Sequence, residues 1–408
     1  MRDDAVPIGP VLVLGAGLAA VSFVSTLRSN GFSGDVRVVE AENEPPYDRP
    51  PLSKDFQREG DPVKVRLDTS RAPGVEWLRG RAATAIDTVR RVVRLADGSE
   101  LDYGTLVLAT GARPREIPAL RACGLPLFTL RTLDDARRIR AALTPGARLL
   151  VIGGGVIGLE LAATARMLGC EVMVVEAFDR LMNRCCPATL SALVADCHRA
   201  QGVDLRLTTQ VRGIDASGVT LDDGTSFAAD AVVVGIGVVA NDELARAAGI
   251  ACDDGIFVDG FGRTTCPGVL AIGDVTRQRN PVSGRFERIE TWSNAQNQGA
   301  AVARALLAES PLAFAELPWY WSDQFEMKLQ VAGLATGDME IVRGHVAVGG
   351  KFALIQIRQG RPVGVACMNN VREFVPLKRL LTLDRLPDVH ALADPTTDLR
   401  KLSMPARA

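Results

Sequence analysis

Runs of consecutive apolar residues, rather than alternating ones, dominate the first three quarters of the chain. Two of these runs are alike: residues 11–14 precede Gly-Ala-Gly-Leu-Ala-Ala, and residues 149–152 precede Gly-Gly-Gly-Val-Ile-Gly. An uninterrupted run of this kind is typical of a strand that is buried on both faces of a parallel sheet. A helical pattern follows each glycine-rich segment and ends near Gly31 or Gly169, and glycine is a common helix stop. Both segments therefore predict a strand, a tight turn and a helix.

A second pattern is repeated downstream of each segment. Asp97-Gly98 separates two strand-like runs, and so does Asp223-Gly224. Asp-Gly between such runs is a signal for a hairpin turn. Each hairpin leads into a buried apolar run that ends in small residues, at 106–111 and at 231–237. The sequence predicts two Rossmann-like units, each with a β-meander.

The last quarter of the chain has a different pattern. Strand-like runs begin at Lys328, Lys351 and Val363, and a helical pattern extends over residues 373–383. We expect a C-terminal α+β domain from about Trp319.

Composition then excludes several classes of protein. With 408 residues, 47% apolar and 23% charged, the chain is unlike a disordered one. The 47 basic and 48 acidic residues leave a net charge of −1, which argues against a nucleic-acid binder. Eight cysteines without a C-x-x-C pair and three histidines favour neither a disulfide scaffold nor a metal site, and they favour a reduced, cytoplasmic compartment. No apolar run approaches the roughly 18 residues of a membrane span, and residues 11–24 fit a folded strand and helix better than a signal peptide.

The two glycine motifs have the context of dinucleotide sites. An acid ends the strand that follows each helix, Glu40 in the first copy and Glu176 in the second, about 20 residues after the motif. The glycines let the backbone approach a pyrophosphate, and the helix N-terminus meets its charge. The acid accepts hydrogen bonds from a ribose diol.

Glu176 also predicts a preference for NADH. A carboxylate at this place repels the 2′-phosphate of NADPH. Ala177 and Phe178 offer no cation, although Arg180 and Arg184 are near in sequence.

These motifs, together with residues 106–111 and the segment 269–274 that ends in Gly273-Asp274, resemble the two-dinucleotide flavoprotein reductases of the glutathione-reductase fold. The resemblance covers essentially the whole chain. It implies an FAD-binding domain formed by residues 1–112 and 238–318, an NADH-binding domain at 113–237 and the C-terminal domain at 319–408.

The segment Pro50-Pro-Leu-Ser53-Lys54 separates the branches of that fold family. Disulfide reductases carry C-x-x-x-x-C in this region, and NADH oxidases and coenzyme A disulfide reductases carry a single cysteine, whereas this chain has none there. With residues 130–136, 288–295 and 318–324, the segment is similar to the NADH-dependent ferredoxin reductases of bacterial oxygenase systems, the putidaredoxin reductase-like group. It is most similar to the reductase components of biphenyl-type aromatic-ring dioxygenases. The resemblance implies a small acidic [2Fe–2S] ferredoxin of the Rieske type as partner and, indirectly, a terminal oxygenase.

The resemblance also assigns residues to the chemistry, in which FAD takes a hydride from NADH and passes on single electrons. It pairs Lys54 with Glu160 beside the flavin as the catalytic residues, while the residues alone leave open that both are surface helix charges. The positions implied for FAD are Gly15, Ala16, Gly17, Leu18, Ala19, Glu40, Arg49, Lys54, Ala83, Ala109, Thr110, Gly111, Arg131, Gly273, Asp274 and Trp292. Those implied for NADH are Gly153, Gly155, Val156, Ile157, Glu160, Glu176, Arg184 and Gly237.

Candidate residues for partner docking are an indole and a group of cations. Trp321 is expected between the flavin and the ferredoxin, with an indole that fills a domain seam as the open alternative. The cations are Arg277, Arg279, Arg285, Lys378 and Arg379, which would steer an acidic partner unless they are merely solvated surface charges.

Other functions stay open at this point. A rubredoxin reductase or a reductase of another small acceptor has the same fold. A non-catalytic flavoprotein similar to apoptosis-inducing factor is disfavoured, because the chain shows neither a targeting leader nor a basic excess. A vicinal redox pair at Cys185-Cys186 and both a monomeric and a homodimeric state also stay open.

Overall fold

The computed structural model describes residues 8–120, 124–216, 218–383 and 387–402; Cys123 lies outside them. The described chain forms two compact units. The first contains the residues up to Asp48, Pro62–Arg113 and Val238–Pro318, and the second contains Arg49–Asp61, Pro114–Gly237 and the residues from Trp319 onward.

A five-stranded parallel sheet is the centre of the first unit. Its strands, in spatial order, are Val269–Ala271, Thr105–Leu108, Val11–Leu14, Val36–Glu40 and Val75–Arg79. Every residue of Val11–Leu14 and Thr105–Leu108 is buried, which explains their uninterrupted apolar runs. Helices Leu18–Ser29 and Trp292–Leu307 approach each other so closely that a Cβ on Gly299 would lie 2.3 Å from the carbonyl oxygen of Ala19.

The remaining elements of the first unit are short. The predicted meander consists of Ala83–Asp87, Val92–Leu95 and Glu100–Asp102, and Gly98 takes φ +84° in its turn. A three-stranded sheet consists of Ile256–Phe257, Thr276–Arg279 and Phe286–Arg288, and a two-stranded sheet consists of Ala112–Pro114 and Val238–Ala240. The unit also contains the short helix Glu243–Ala247 and the 3₁₀ turn Gly273–Val275.

The second unit contains another five-stranded parallel sheet. Its strands, in spatial order, are Asp204–Arg206, Glu171–Val175, Arg148–Ile152, Ala231–Val234 and Leu127–Phe128. The accompanying helices are Leu133–Ala142, Val156–Met167 and Ala188–Ala200, with a 3₁₀ turn at Pro118–Leu120. The second meander consists of Val211–Asp215, Gly218–Leu221 and Ser226–Phe227.

Residues 49–61 pack within the second unit, although the predicted bounds assign them to the FAD-binding domain. They form the 3₁₀ turn Pro50–Ser53 and the helix Asp55–Glu59. The side-chain amide of Gln57 donates to the carbonyl oxygens of Leu52 and Ala136 at 2.7 and 3.2 Å, which ties this segment to helix Leu133–Ala142.

The C-terminal part of the second unit is an antiparallel sheet with helices. Its strands, in spatial order, are Trp319–Gln324, Met327–Gly333, Arg361–Met368, Phe352–Arg358 and Met339–Gly344. Its helices are Val371–Leu380, Val389–Ala393 and Leu399–Leu402. Alternate residues of one strand enter two cores: Phe352 and Leu354 belong to the core of the parallel sheet, whereas Ala353 and Ile355 belong to the core under the helices. This burial on both faces explains the continuous apolar run.

The predicted fold class is confirmed, with two Rossmann-like domains, a β-meander in each and an α+β C-terminal domain. The exact domain bounds stay a prediction. Within the described ranges, no helix combines the length and the apolar character that crossing a bilayer requires.

Candidate functional site

The first glycine motif is a tight turn between strand Val11–Leu14 and helix Leu18–Ser29. Gly15 takes φ +102°, and a Cβ there would lie 2.3 Å from the carbonyl oxygen of Ala109, so only glycine fits. The N–H of Ala16 donates to Oε2 of Glu40 at 2.6 Å. No side chain caps the helix at Gly17, which leaves its first-turn N–H groups available to an anion.

The other first-unit positions implied for FAD lie on three segments. The N–H of Gly273 donates to the side chain of Gln298 at 2.7 Å, and Asp274 follows in the same 3₁₀ turn. Trp292 begins helix Trp292–Leu307, and its indole N–H donates to Asp48 at 2.8 Å.

The turn after strand Thr105–Leu108 supplies further positions, Ala109, Thr110 and Gly111. Thr110 exchanges two hydrogen bonds with Asn241, at 2.7 and 2.8 Å. Ala83 begins the first meander. All the positions implied for FAD that are described above lie in the first unit. The other three implied positions, Arg49, Lys54 and Arg131, lie in the second unit.

The second glycine motif repeats the geometry of the first. Gly153 takes φ +106°, and a Cβ there would lie 2.5 Å from the carbonyl oxygen of Gly235. The N–H of Gly154 donates to Oε2 of Glu176 at 2.6 Å, as the N–H of Ala16 does to Glu40. Helix Val156–Met167 also begins, after Gly155, without a side-chain cap. Each unit therefore holds one strand-end carboxylate against its glycine turn.

The arginines near Glu176 have different surroundings. Arg180 donates to the carbonyl oxygens of Cys186 and Asn183 at 2.7 and 2.8 Å, so its guanidinium holds the loop. Arg184 is exposed, and one of its nitrogens lies 3.3 Å from the place of a Cβ on Gly237.

A buried carboxylate on helix Val156–Met167 receives three donors. Oε1 of Glu160 accepts from Lys54 Nζ at 3.2 Å and from the Ser322 hydroxyl at 2.8 Å. Oε2 accepts from the Ser53 hydroxyl at 2.5 Å. Thr164, one turn further along the helix, donates to the carbonyl oxygen of Ser53 at 2.9 Å and fixes the segment that carries Ser53 and Lys54. Glu160 is therefore an interior group rather than a surface helix charge.

Opposing effects act on the pKa of Glu160. Burial is the largest and raises the pKa, whereas the charge of Lys54 and the hydrogen bonds from Ser53 and Ser322 lower it. The net direction is upward. Asp323, at 3.7 Å from Lys54 Nζ, shares the lysine with Glu160.

The hydrogen bonds continue away from Glu160 into the core. The amide nitrogen of Gln324 lies 3.0 Å from the Ser322 hydroxyl, and its amide oxygen lies 2.9 Å from Nε2 of His198. Ser322, Gln324 and His198 are all fully buried. Burial lowers the pKa of His198, and the hydrogen bond with Gln324 opposes this effect.

Two aromatic rings and a second cation lie on the other side of Lys54. Lys54 Nζ lies 5.9 Å from the centre of the Trp321 ring. Trp321 and Trp319 have ring centres 5.8 Å apart, and Lys378 Nζ lies 5.2 Å from the centre of Trp319. The strand Trp319–Gln324 thus connects Lys378, at the end of helix Val371–Leu380, with the Lys54–Glu160 pair.

The remaining docking candidates occupy separate places in the fold. Arg277 and Arg279 lie on strand Thr276–Arg279, and exposed Arg285 lies in the turn that follows it. Arg277 is partly engaged, because it donates to the carbonyl oxygen of Asp253 at 2.6 Å. Arg379 lies next to Lys378 in the second unit.

The adjacent thiols Cys185 and Cys186 are free. Burial raises the pKa of both thiols, which disfavours the reactive thiolate. The backbone oxygen of Cys185 accepts a hydrogen bond from the Tyr320 hydroxyl at 2.9 Å. The pair is thus packed against the strand that carries Trp321.

Sequence reasoning assigned no role to the hydroxyl and amide groups around Glu160. Ser53, Ser322 and Gln324 lie in segments that carry the family resemblance, and His198 lies in none of them. One signal was available: Ser322 and Gln324 occupy alternate positions of a strand-like run, so they share one face.

Comparison with known proteins gives full-length matches. The chain matches the pyridine nucleotide-disulphide oxidoreductase family over residues 9–299 and the reductase C-terminal family over residues 319–403. It is 40% identical to the ferredoxin–NAD(+) reductase component of the anthranilate 1,2-dioxygenase system of Burkholderia cepacia, over 96% of this chain and 98% of that protein. It is 38% identical to putidaredoxin reductase of Pseudomonas putida, over 98% and 97% of the two chains. The solved covalent complex of putidaredoxin reductase with putidaredoxin matches it with a TM-score of 0.91 and 36% identity, over 97% of this chain and 98% of that one.

Proposed function

The chain belongs to the pyridine nucleotide-disulphide oxidoreductase family, and on that basis we propose that it is the reductase that passes electrons from NADH, through FAD, to a small acidic [2Fe–2S] ferredoxin of the Rieske type. That ferredoxin would supply a ring-hydroxylating dioxygenase. The family and the relatives establish an oxidoreductase that uses FAD and NAD(H); the ferredoxin type, the dioxygenase and the role of each residue are the proposal.

One observation carries this function. The segment Pro50–Ser53 and the following Lys54 present a hydroxyl and an ammonium group to the buried carboxylate of Glu160. A reductase of disulfides needs a thiol in this segment to relay electrons, and the segment contains none. We therefore propose that electrons pass to the acceptor without a protein thiol in this segment as intermediate.

The first unit fits the nucleotide part of FAD. A Cβ on Gly15 would meet the backbone of Ala109, and the uncapped helix N-terminus at Gly17 offers N–H groups to a pyrophosphate. Glu40 stands at the end of its strand, where it would accept hydrogen bonds from a ribose. Asp274 and Trp292 are the further residues that we assign to FAD in this unit.

The second unit fits NADH in the same manner. Gly153 and Gly155 form the turn, and Glu176 would hold the adenosine ribose. Arg180 is engaged by loop carbonyl oxygens, so it is not placed to balance a 2′-phosphate. We therefore assign NADH, rather than NADPH, as the reductant.

FAD supplies, when bound, both the acceptance of a hydride and the release of single electrons. The protein contributes a fixed positive charge on Lys54, which Glu160 and Asp323 hold in place. A preorganised cation of this kind stabilises negative charge that develops near it. Glu160 in turn keeps the ammonium oriented and excludes water from the pair, because its carboxylate is saturated by protein donors.

The surface of the second unit offers a route for the acceptor. Trp321 contacts Lys54 on one side and Trp319 on the other, and Lys378 lies over Trp319. We assign Trp321 to the electron path and Lys378 with Arg379 to the attraction of an acidic partner. Arg277, Arg279 and Arg285 are assigned the same attraction on the first unit. We also propose a cytoplasmic location, where NADH is supplied, and the free cysteines in the described part of the chain support it.

Anaerobic stopped-flow measurement tests the proposal. The FAD-loaded protein is mixed with NADH, and the loss of oxidised flavin absorbance is followed; a second mixing step adds a candidate acceptor. We expect rapid reduction by NADH, slow reduction by NADPH, and transfer to a Rieske-type [2Fe–2S] ferredoxin. Faster transfer to a rubredoxin or to a quinone-like small molecule would overturn the ferredoxin assignment. A long-lived complex with NADH that passes electrons to none of them would indicate a binding function instead.

A further inference from the structure

A continuous chain of hydrogen bonds leads from Glu160 to a buried histidine in the second unit. The order is Glu160, the Ser322 hydroxyl, the Gln324 side-chain amide and the His198 ring, with separations of 2.8, 3.0 and 2.9 Å. Ser322 and Gln324 lie on the same face of strand Trp319–Gln324, and His198 lies on helix Ala188–Ala200. None of these three groups belongs to the nucleotide motifs.

The direction of each bond follows from the atoms present. The amide nitrogen of Gln324 can only donate, so the Ser322 oxygen accepts from it. The hydroxyl hydrogen of Ser322 is then directed at Oε1 of Glu160. Oε1 of Glu160 consequently faces donors only, namely Lys54 and Ser322, and Oε2 accepts from the Ser53 hydroxyl. This arrangement favours a carboxylate and leaves no acceptor at Oε1 for the proton of a carboxylic acid.

The ring of His198 determines which end of the Gln324 amide faces Ser322. With its proton on Nε2, the ring donates to the amide oxygen, and the amide nitrogen turns to Ser322. With the proton on Nδ1, Nε2 would accept, and the amide would rotate. Nδ1 of His198 has no hydrogen-bond partner among the residues that the structure describes. A buried N–H without a partner is costly, so the proton belongs on Nε2.

We infer that Ser322, Gln324 and His198 are positioning residues that direct a hydroxyl hydrogen at Glu160 and thereby favour the ionised form of this carboxyl beside Lys54. A rotated amide would draw the hydrogen of Ser322 away from Glu160 and offer that carboxyl an acceptor. The inference rests on the proposed function, which gives the Lys54–Glu160 pair its role in reduction. The hydrogen-bond order itself is independent of which acceptor the enzyme serves.

The charged groups around Glu160 are few, which makes its ionisation state measurable. Lys54 contacts it directly, Asp323 lies on the far side of Lys54, and His198 is separated from it by two side chains. Ser53 and Thr164 are the neutral neighbours on the adjoining segments. Burial opposes the ionised form, so the loss of one donor has a direct effect on the proton affinity.

The first test is the tautomer of His198 in the unmodified, FAD-loaded enzyme. The chain has three histidines, and His345 and His390 are exposed, so ¹⁵N spectra of histidine-labelled protein resolve each ring. We expect His198 to carry its proton on Nε2 and to stay neutral between about pH 6 and pH 8, because burial lowers its pKa. A proton on Nδ1, or protonation of the His198 ring within this interval, would overturn the inference.

The second test measures the protonation midpoint of Glu160 itself by infrared difference spectroscopy, with Glu160→Gln to identify the band. Ser322→Ala removes one donor to a charged acceptor, so the midpoint should rise by about one to two pH units. Ser322→Thr keeps the hydroxyl and should restore the midpoint. Ser191→Ala is the matched control, because it removes another buried hydroxyl, which donates to the carbonyl oxygen of Leu181 at 2.7 Å.

A double-variant comparison distinguishes an effect of His198 that reaches Glu160 through Ser322 from a general destabilisation of the core. His198→Leu should raise the midpoint in the normal background, because the amide becomes free to rotate. The same change in the Ser322→Ala background should have no further effect, since His198 acts only through Ser322. Equal effects in both backgrounds, or an equal effect of Ser191→Ala, would refute the inference. Neither spectrum needs an electron acceptor, so failure to reduce a ferredoxin would refute the proposed function and leave these results standing.

Discussion

Lys54 Nζ lies 3.2 Å from Oε1 of Glu160, and only 13% and 6% of the two side-chain surfaces are exposed. A buried pair of this kind is sensitive to the removal of either partner, because the other charge is then left without compensation. The pH dependence of stability reports on it directly.

Glu160→Gln should remove one part of that pH dependence. Burial is the main cause that raises the pKa of Glu160 above its usual value of 4.5, so the folded protein holds this proton more tightly than the unfolded chain does. The free energy of unfolding therefore falls as the pH rises from the unfolded pKa through the folded one. The contribution is at most about 1.4 kcal/mol per pH unit. Urea unfolding at several pH values across this interval should show that the free energy of unfolding depends less steeply on pH in Glu160→Gln. An unchanged pH dependence would contradict the raised pKa of Glu160.

Asp323→Asn is the control for this measurement. Its carboxylate is 47% exposed and also contacts Lys54. The variant alters a contact of the same lysine but should keep the pH dependence of the free energy of unfolding that comes from Glu160.

Gly153→Ala should abolish NADH binding and destabilise the second unit. The new Cβ would lie 2.5 Å from the carbonyl oxygen of Gly235, and the residue has φ +106°. Gly224→Ala is the control, because Gly224 has φ +84° but no atom within 4 Å of its Cβ position. The control should lower the free energy of unfolding by about 1 kcal/mol from backbone strain alone, whereas Gly153→Ala should lower it by several kcal/mol. Calorimetric titration with NADH and urea unfolding measure both effects; equal losses would contradict the close approach.

Glu176→Gln should weaken the discrimination against NADPH. The change keeps the shape of the side chain and removes the charge that faces a 2′-phosphate. We expect the ratio of kcat/KM for NADH to that for NADPH to fall by about tenfold or more. Glu40→Gln makes the same change in the first unit, where Glu40 accepts from Ala16 as Glu176 does from Gly154. Glu40→Gln should weaken FAD binding and leave the ratio of kcat/KM for NADH and NADPH unchanged. The reverse pattern would assign FAD to the second unit and NADH to the first.

Trp321→Ala should slow the transfer to ferredoxin and leave the reduction by NADH close to normal. The ring lies between Lys54 and Trp319, on the proposed electron path. Tyr320→Phe is the control, because Tyr320 precedes Trp321 on the strand and points to the opposite face, where it contacts Cys185. Two-step stopped-flow measurement separates the two rates. If ferredoxin reduction by Trp321→Ala were unchanged, Trp321 would be a packing residue only.

Replacement of both Arg279 and Arg285 by Gln should raise the KM for ferredoxin at low salt and flatten its salt dependence. Both side chains are exposed on one hairpin, and exposed charges act over about 10 Å at 0.1 M salt. The control is the pair Arg90 and Arg94, which contact Glu100 on the first meander. Replacing that pair by Gln changes the net charge equally and should not alter the KM. Equal effects of the two pairs would indicate a general effect of charge.

The parallel sheets and the glycine turns were predictable because their signals are local. Gly15 and Gly153 sit between a buried strand and a helix, and the acids Glu40 and Glu176 end the next strand of the same unit. Neighbouring residues determine these backbone conformations, so a short segment of sequence contains the information.

The side-chain network was not predictable, because its partners are far apart along the chain. Ser322 is 162 positions from Glu160, and Trp292 is 244 positions from its partner Asp48. A serine or a glutamine in a strand-like run is compatible with solvent as well as with a buried hydrogen bond. Residues 49–61 pack within the second unit through a contact of the same kind, since Gln57 finds one of its two acceptors, Ala136, on a distant helix.

The two glycine turns differ in how far the first helical turn after each is covered. Ala19 is 7% exposed, close under the helix that carries Gly299, whereas Ile157 at the equivalent position of the second motif is 47% exposed. Such a difference fits the two roles that we propose for these turns. A tightly held FAD would remain on the covered turn, and an exchanging NADH would reach the turn whose apolar side chain is open.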